Sequence, residues 1–263
     1  MAAARPRLIT MAYSHYSEKA RWALDYAAVD YLEERHLPLL HRLHTRRVGG
    51  SSVPVLVDGQ SRCFDSAAIV LYADRRAGRG ALLPGNAEQR SETLELEHYL
   101  DRELGPHARR WAYAQLLGCP ALLNAYARRG VWLSERPFTP LVMWLARPII
   151  RRVLRITPDS AARSLERVRA LFALIGERLA DGRSFLVGGQ FTAADLTFAA
   201  LAAPVLLPPE FGGALPAVSA VPARMAAAVS ELRASPAGRF ALGMYTHHRP
   251  APRTSSTGAI GHP

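Results

Sequence analysis

Signals for β-strands are confined to the first quarter of the chain. Short apolar or β-branched runs lie at residues 7–11, 30–37 and 53–63, separated by one helical segment and a Gly-terminated connection. After the Gly- and Pro-rich stretch at 78–89 no convincing strand pattern follows, and the remaining periodic segments are helical. The pattern predicts a small mixed sheet with helices on its faces, followed by an all-α region.

Domain boundaries follow from this change of pattern. We expect an α/β domain over residues 1–78, a linker over 79–90, an all-helical domain over 91–248 and an unstructured tail over 249–263. A chain of 263 residues is longer than one ordinary core usually organises, which agrees with two domains.

The hairpin at 53–63 contains a proline in its first strand pattern. Asp58-Gly59 supplies the turn, and Pro54 cannot donate a backbone hydrogen bond to a ladder. Pro54 must therefore occupy a sheet edge, a bulge or a cis turn. Asp65-Ser66 then opens an apolar helix, a position where side-chain oxygens commonly satisfy first-turn amides.

Hydroxyl-bearing residues crowd the start of the first predicted helix. Tyr13, Ser14, Tyr16 and Ser17 precede or begin a mostly apolar segment that runs to Ala28. Serine often caps a helix by accepting hydrogen bonds from first-turn amides. The same hydroxyls could instead face a ligand at the helix N-terminus, and the residues alone leave both interpretations open.

The helical half contains its own start and stop signals. Gly105-Pro106 predicts a kink or break in a long helix. Thr192 followed by Asp195 is a capping box that begins an almost wholly apolar helix, which must be buried. Another helix is predicted before Asp181-Gly182 from an apolar stripe made of Leu165, Val168, Leu171, Phe172, Ile175 and Leu179.

Charge and cysteine content narrow the possible partners. The formal charge is +11, but the arginines are scattered and do not alternate with aromatic residues, so we expect no nucleic-acid partner. Cys63 and Cys119 stand far apart with no ligand spacing, so we expect no disulfide, no metal site and a reducing, cytoplasmic location. We also expect neither export nor a membrane-spanning helix, because no apolar run is long enough.

The segment at 136–156 combines arginines with large apolar residues. Arg147, Arg151 and Arg155 recur at helical spacing, with Pro148 interrupting. Opposite them lie Phe138, Leu141, Leu145 and Ile149. The pattern favours a helix with one buried face. Peripheral contact with an anionic membrane surface and a lid over a pocket are the alternatives.

Several of these motifs occur in one order along the chain. The hydroxyl-rich helix start, Val53-Pro54, Asp65-Ser66 and the Thr192 cap together resemble the cytosolic glutathione transferase superfamily over about residues 7–246. Within it the chain is most similar to a bacterial member of the serine-type (tau, phi, theta or omega-like) classes. The resemblance implies a thioredoxin-like N-terminal domain that binds glutathione and an all-helical C-terminal domain with the pocket for an electrophile.

The resemblance implies that Ser14 is the catalytic residue. Ser14 and Ser17 fall where glutaredoxin-like relatives carry cysteines, and a hydroxyl cannot form the mixed disulfide that thiol exchange requires. In the serine-type classes the hydroxyl donates a hydrogen bond to the glutathione sulfur, which favours the nucleophilic thiolate. Tyr13 is the rival hydroxyl, and Ser17 is expected to be a cap.

The resemblance also implies where glutathione binds. Val53-Pro54 matches the cis-proline position, whose preceding backbone pairs with the cysteinyl backbone of glutathione. Asp65-Ser66 matches the Glu/Gln-Ser pair that holds the γ-glutamyl group, with the shorter Asp as a departure. The cation for the glycine carboxylate is expected among His44, Arg46 and Arg47, of which we select Arg47.

For the electrophile, the resemblance implies Tyr13, Trp111 and Tyr113 as substrate-binding residues. The chain is thus expected to be a homodimeric glutathione S-transferase that joins the thiolate of its co-substrate, glutathione, to a small hydrophobic electrophile in detoxification. Isomerase, dehalogenase and peroxidase variants use the same thiolate. A non-catalytic binding or regulatory protein and a membrane-surface-associated member are the alternatives.

Overall fold

The structure, a computed structural model, describes residues 5–78, 80–251 and 255–256. The N-terminal part contains strands β1 (Arg7–Thr10), β2 (Leu32–Arg35), β3 (Val55–Asp58) and β4 (Ser61–Cys63) and helices α1 (His15–Tyr26), α2 (His41–Arg47) and α3 (Ser66–Ala77). Strand β1 pairs in parallel with β2 and antiparallel with β3, and β4 pairs antiparallel with β3. The predicted mixed sheet with helices on its faces is confirmed.

The C-terminal part contains α4 (Ala87–Leu116), α5 (Pro120–Ala127), α6 (Thr139–Val153), α7 (Pro158–Arg178), α8 (Ala193–Leu206), α9 (Ala223–Ala234) and α10 (Pro236–His248). Thr192 and Asp195 form the predicted capping box, and every residue of α8 is buried. Helix α8 packs against α1, α4 and α10 and so joins the two halves of the core. No helix among the described residues is both long and apolar enough to cross a membrane.

The predicted tail at 249–263 is partly ordered, which corrects the expectation for its first residues. Arg249 forms salt bridges with Glu18 and Asp25, and its side chain is only 2% exposed. A fifth strand, β5 (Ser255–Ser256), pairs in parallel with β2, which gives the sheet order β4-β3-β1-β2-β5. Residues 252–254 and 257–263 of the predicted tail lie outside the described residues.

The break predicted at Gly105-Pro106 is wrong, because α4 continues through the pair as one helix of 30 residues. The glycine instead permits a close contact with α1. A Cβ atom at Gly105 would lie 2.2 Å from the Tyr16 hydroxyl oxygen, and that hydroxyl donates a 2.9 Å hydrogen bond to the carbonyl of Asp101. The pair therefore serves the packing of α1 on α4.

The apolar stripe predicted to be the buried face of the 136–156 segment is also wrong. Helix α6 buries its other side, where Val142, Met143 and Ala146 pack in a small cluster with residues of α5 and the end of β2. The predicted stripe faces solvent, with exposed fractions of 57%, 57%, 45% and 43% for Phe138, Leu141, Leu145 and Ile149 respectively.

Candidate active site

Ser14 is the N-cap of α1, directly after the loop that leaves β1. Its Oγ accepts a 3.2 Å hydrogen bond from the backbone N–H of Ser17, so the capping role is present. A serine hydroxyl that accepts one hydrogen bond keeps its own proton to donate. Ser14 is half-buried and lines a cavity, which leaves that proton available to a ligand.

This cavity, of about 240 Å³, lies between the start of α1, the C-terminal half of α4 and the C-terminal end of α6. Its wall is mainly apolar, with Leu116 of α4 and Ile149, Ile150 and Val153 of α6. A mainly apolar cavity with a few polar groups at one end is typical of sites for small organic ligands.

Two tyrosines lie beside Ser14 in the cavity wall. The rings of Tyr13 and Tyr113 meet edge to face with centroids 6.3 Å apart. Burial first, and then the Tyr113 phenol, raises the pKa of Tyr13 well above 10, so the hydroxyl stays protonated. No described group lies at hydrogen-bonding distance from that buried hydroxyl. Tyr13 is thus a second proton donor in the cavity.

The other residues predicted to bind the electrophile or glutathione are distributed differently. Trp111 is 2% exposed in the main core and does not line the cavity. Val53 lines the cavity, and the Val53-Pro54 peptide bond is cis, one of the three arrangements expected for this proline.

The Asp65-Ser66 pair and Arg47 lie outside the cavity wall. Asp65 is the exposed N-cap of α3 and accepts a 2.7 Å hydrogen bond from the N–H of Ala68, and Ser66 is buried behind it. Arg47 is exposed at the end of α2, whereas His41 and Arg42 at the start of α2 line the cavity. The start of α2 is therefore a source of positive charge that the sequence did not single out.

Arg109 on α4 is a further residue that the sequence analysis missed. It is half-buried in the cavity wall, its Nε has no hydrogen-bond partner among the described residues, and its guanidinium lies 5.9 Å from the Tyr16 ring centroid. Burial and then the Arg109 charge lower the pKa of His15 to about 3. His15 is consequently neutral and donates from Nε2 to the carbonyl of Gly105 at 3.1 Å.

The loop that carries Ser14 is held from the C-terminal part of the chain. The carbonyl of Ala12 accepts a 3.0 Å hydrogen bond from the N–H of Ala214. Gly213 permits this contact, because a Cβ at that position would lie 1.7 Å from the Ala12 oxygen. The site is thus built jointly by both parts of the chain.

One cluster offers ligand atoms that could hold a metal. Nitrogen and oxygen atoms of His36, His44 and Glu135 lie within 4.8 Å of one another. The two imidazoles are stacked, with centroids 3.6 Å apart at 15°, so their in-plane lone pairs do not converge. The Glu135 carboxylate already accepts from His36 Nδ1 at 2.6 Å and from the N–H of Leu37 at 2.8 Å. The geometry fits a hydrogen-bonded junction better than a tetrahedral metal site.

Comparisons with known proteins agree with this architecture. The family models described as glutathione S-transferase, N-terminal domain and glutathione S-transferase, C-terminal domain match residues 8–85 and 158–235. No curated protein sequence matches the chain significantly.

Solved structures similar to this chain include three glutathione S-transferases. A protein from Xanthobacter autotrophicus Py2 has 17% identity over 92% of this chain and 93% of that chain, with a TM-score of 0.57. A possible glutathione S-transferase from Rhodopseudomonas palustris has 18% identity over 98% and 100%, with a TM-score of 0.56. Glutathione S-transferase-I, bound with lactoylglutathione, has 18% identity over 92% and 100%, with a TM-score of 0.54.

At these identities the structural likeness shows the fold alone, whereas the two family models cover more than half of the sequence. The mixed sheet, the following helical part and the two matched models lead to one conclusion. The chain belongs to the glutathione S-transferase superfamily.

Proposed function

We propose that the protein transfers the thiolate of glutathione to a small hydrophobic electrophile, and that the Ser14 hydroxyl stabilises the thiolate. The observation that carries this proposal is the position of Ser14, half-buried at the N-terminus of α1 and in the wall of a mainly apolar cavity. A hydrogen bond to the charged form of a thiol favours that form and lowers its pKa. Since the thiolate is the nucleophile, the bond raises the reactive fraction at neutral pH.

In this proposal the helix N-terminus and Arg109 add positive potential on the side of the cavity where the sulfur binds. The amides of the first turn of α1 point toward the cavity end of the helix. Arg109 lines the same cavity and has no carboxylate partner among the described residues. An unpaired, half-buried cation favours the ionised thiol over the neutral one.

Glutathione itself is proposed to lie along the loop before β3, with its cysteinyl backbone beside Val53-Pro54. Its γ-glutamyl carboxylate would bind at the start of α3, where Asp65-Ser66 provides the helix N-terminus. Its glycine carboxylate would be paired by Arg47, as the resemblance implies, or by Arg42, which lines the cavity. A related structure holds lactoylglutathione, which supports a glutathione-derived ligand.

The electrophile is proposed to occupy the apolar part of the cavity, against Tyr113, Leu116 and Ile150. Trp111 would act through packing, because it lies in the core. For an aryl halide, the sulfur attacks the ring carbon, a C–S bond forms, and the halide leaves with the electron pair of the broken bond.

Tyr13 is the competing donor, and a matched pair of variants distinguishes it from Ser14. With purified protein, glutathione and an aryl halide, Ser14→Ala should lower turnover at least about tenfold, or about 1.4 kcal/mol in barrier. Tyr13→Phe, which removes only the hydroxyl, should leave it within about twofold. The opposite ranking would assign the sulfur to Tyr13, and equal rates in wild type and Ser14→Ala would remove Ser14 from the mechanism.

A non-catalytic binding protein is separated by a thermal shift assay. Glutathione at about one hundred times its Kd should stabilise the protein by about 2.7 kcal/mol, whether or not turnover follows. Stabilisation without turnover of any electrophile would indicate a binding protein. The absence of stabilisation would contradict a glutathione site altogether.

A further inference from the structure

The α6 segment leaves a large apolar surface exposed. We call this surface the α6 outer face, formed by Phe138, Leu141, Trp144, Leu145, Ile149 and Val153, with exposed fractions from 43% to 67%. Of the ten exposed large hydrophobic side chains in the described part of the chain, seven lie between residues 133 and 153. Contiguous exposed apolar surface of this kind marks an interaction site, whereas scattered exposed apolar residues do not.

Helix α6 is apolar on two sides, and only one side has a partner. Val142, Met143 and Ala146 are buried against α5 and the end of β2, whereas Leu141, Trp144 and Leu145 on the same helix point to solvent. The outer face is therefore not required for the packing of α6. Its composition must serve something outside the described chain.

The charge of the segment indicates what that partner is. Residues 136–156 contain five arginines and no Asp or Glu. Arg151, Arg152 and Arg155 are exposed, at the C-terminal end of α6 and just beyond it, and form no salt bridge with a described carboxylate. A partner that covers the outer face therefore needs an apolar interior and a negatively charged rim.

An anionic lipid bilayer has both properties. Apolar side chains on one face of a helix enter the boundary between headgroups and acyl chains, and flanking arginines meet the lipid phosphates. Trp144, which is 67% exposed, has the amphipathic ring that favours this boundary. A second copy of the chain fits less well, since a two-fold contact through this face would bring the arginines of both copies together.

The outer face is continuous with the cavity. Ile149 and Val153 are 43% and 62% exposed and also line the cavity beside Ser14. The mouth of the cavity therefore opens at the same apolar surface. A ligand that leaves a lipid phase at this surface meets only apolar side chains on its way to the cavity.

We propose that the α6 outer face docks on the surface of an anionic lipid bilayer and presents the mouth of the cavity to it. A lipid-dissolved electrophile then enters the cavity without crossing water. This delivery step rests on the proposed transferase function, whereas the docking does not. The two are therefore tested by separate measurements on the same variants.

The docking is tested by sedimenting the full chain with phosphatidylcholine vesicles that contain or lack phosphatidylserine. The wild type should sediment with the anionic vesicles alone, and added salt should weaken binding. Arg151→Gln/Arg152→Gln should lower the partition coefficient about fivefold for each charge removed, or about 25-fold for the pair. Leu141→Gln/Trp144→Gln should abolish binding.

Matched controls carry the same changes elsewhere on the surface. Leu174→Gln on α7 and Arg224→Gln on α9 alter exposed residues far along the chain from α6 and should bind vesicles as the wild type does. Failure of the wild type to bind, equal binding to neutral vesicles, or equal losses in the controls would overturn the proposal. So would a lipid-free dimer that Leu141→Gln/Trp144→Gln converts to monomer, because a second copy would then cover the face.

Turnover of a water-soluble aryl halide separates the two proposals. None of the four altered α6 residues lines the cavity, so this turnover should stay unchanged in both α6 variants. A wild type that binds vesicles but shows no turnover would contradict the transferase function and leave the docking intact. A wild type that turns over but ignores vesicles would do the reverse.

Discussion

Helices α1 and α6 place their residues in opposite ways. In α1 the charged side chains of Glu18, Lys19, Arg21 and Asp25 are at most 2% exposed, whereas α6 exposes a row of large apolar side chains. The difference lies in the neighbours. Helix α1 is enclosed by the sheet, α3 and α8, whereas α6 has a packed partner on one side only.

The charges of α1 are buried because each meets a partner. Lys19 pairs with Glu97 and Asp101 of α4, while Arg21 pairs with Glu18 and Glu33. Arg249, from beyond α10, pairs with Glu18 and Asp25 as well. Buried ion pairs are weak evidence for stability, but they fix geometry. Here they fix α1 against α4 and the C-terminal end, and thereby the position of Ser14 at the start of α1.

The largest expected effect comes from removing a buried cation. Lys19→Met leaves the Glu97 and Asp101 carboxylates together without a positive charge. We expect the free energy of unfolding to fall by about 3–5 kcal/mol in urea denaturation. The exposed Arg169–Glu231 pair is the control, where Arg169→Met should cost less than about 1 kcal/mol. Equal losses at the two sites would break the comparison between buried and exposed groups.

The next effect depends on pH. Burial raises the pKa of Glu33, but Arg21 and then Arg35 outweigh it, so the pKa falls from 4.5 to about 2. A carboxyl with a lowered folded pKa stabilises the protein above its unfolded pKa, and that stability is lost as pH falls toward the folded pKa. Glu33→Gln should therefore cost about 3 kcal/mol at pH 7. The difference from wild type should shrink between about pH 4.5 and pH 2.

Asp195 provides a contrast of opposite sign. Burial raises its pKa from 3.8 to about 6, so the folded protein retains a proton that the unfolded chain has lost. The contribution of Asp195 to stability should therefore fall as pH rises from about 4 to 6. The cost of Asp195→Asn in urea denaturation should accordingly be greater at pH 4 than at pH 7. A cost that is the same at both values would contradict the raised pKa.

The smallest effect is expected on the outer face of α6. Met143 is 1% exposed and Leu141, two residues earlier, is 57% exposed. Met143→Ala should cost about 2 kcal/mol or more, whereas Leu141→Ala should change the free energy of unfolding by less than about 0.5 kcal/mol. A large loss at Leu141 would mean that the outer face packs inside the folded chain.

Local rules predicted much of the fold. The sheet, the Asp58-Gly59 hairpin, the start of α3 and the capping box of α8 depend on residues close in sequence, and the structure confirms them. The break at Gly105-Pro106 was wrong because a contact with Tyr16, distant in sequence, uses the glycine. The buried face of α6 was wrong because both of its faces are apolar, and periodicity cannot tell which one finds a partner.

The candidate site was predictable only where a short motif marks it. Ser14 and Val53 carry such motifs, and the structure places both in the cavity wall. Arg109 could not be found, because one arginine among 33 basic residues has no local mark and only the tertiary structure shows that it lacks a carboxylate. Trp111 fits both core and pocket by helical spacing, and the structure places it in the core.

The most direct test of the transferase proposal is the pKa of the glutathione thiol in its complex with the protein, followed by thiolate absorbance. We expect a value below the reference of about 8.5 in the wild type and in Tyr13→Phe, and a value about one unit higher in Ser14→Ala than in the wild type. An identical thiol pKa in the wild type and Ser14→Ala would contradict the role of Ser14.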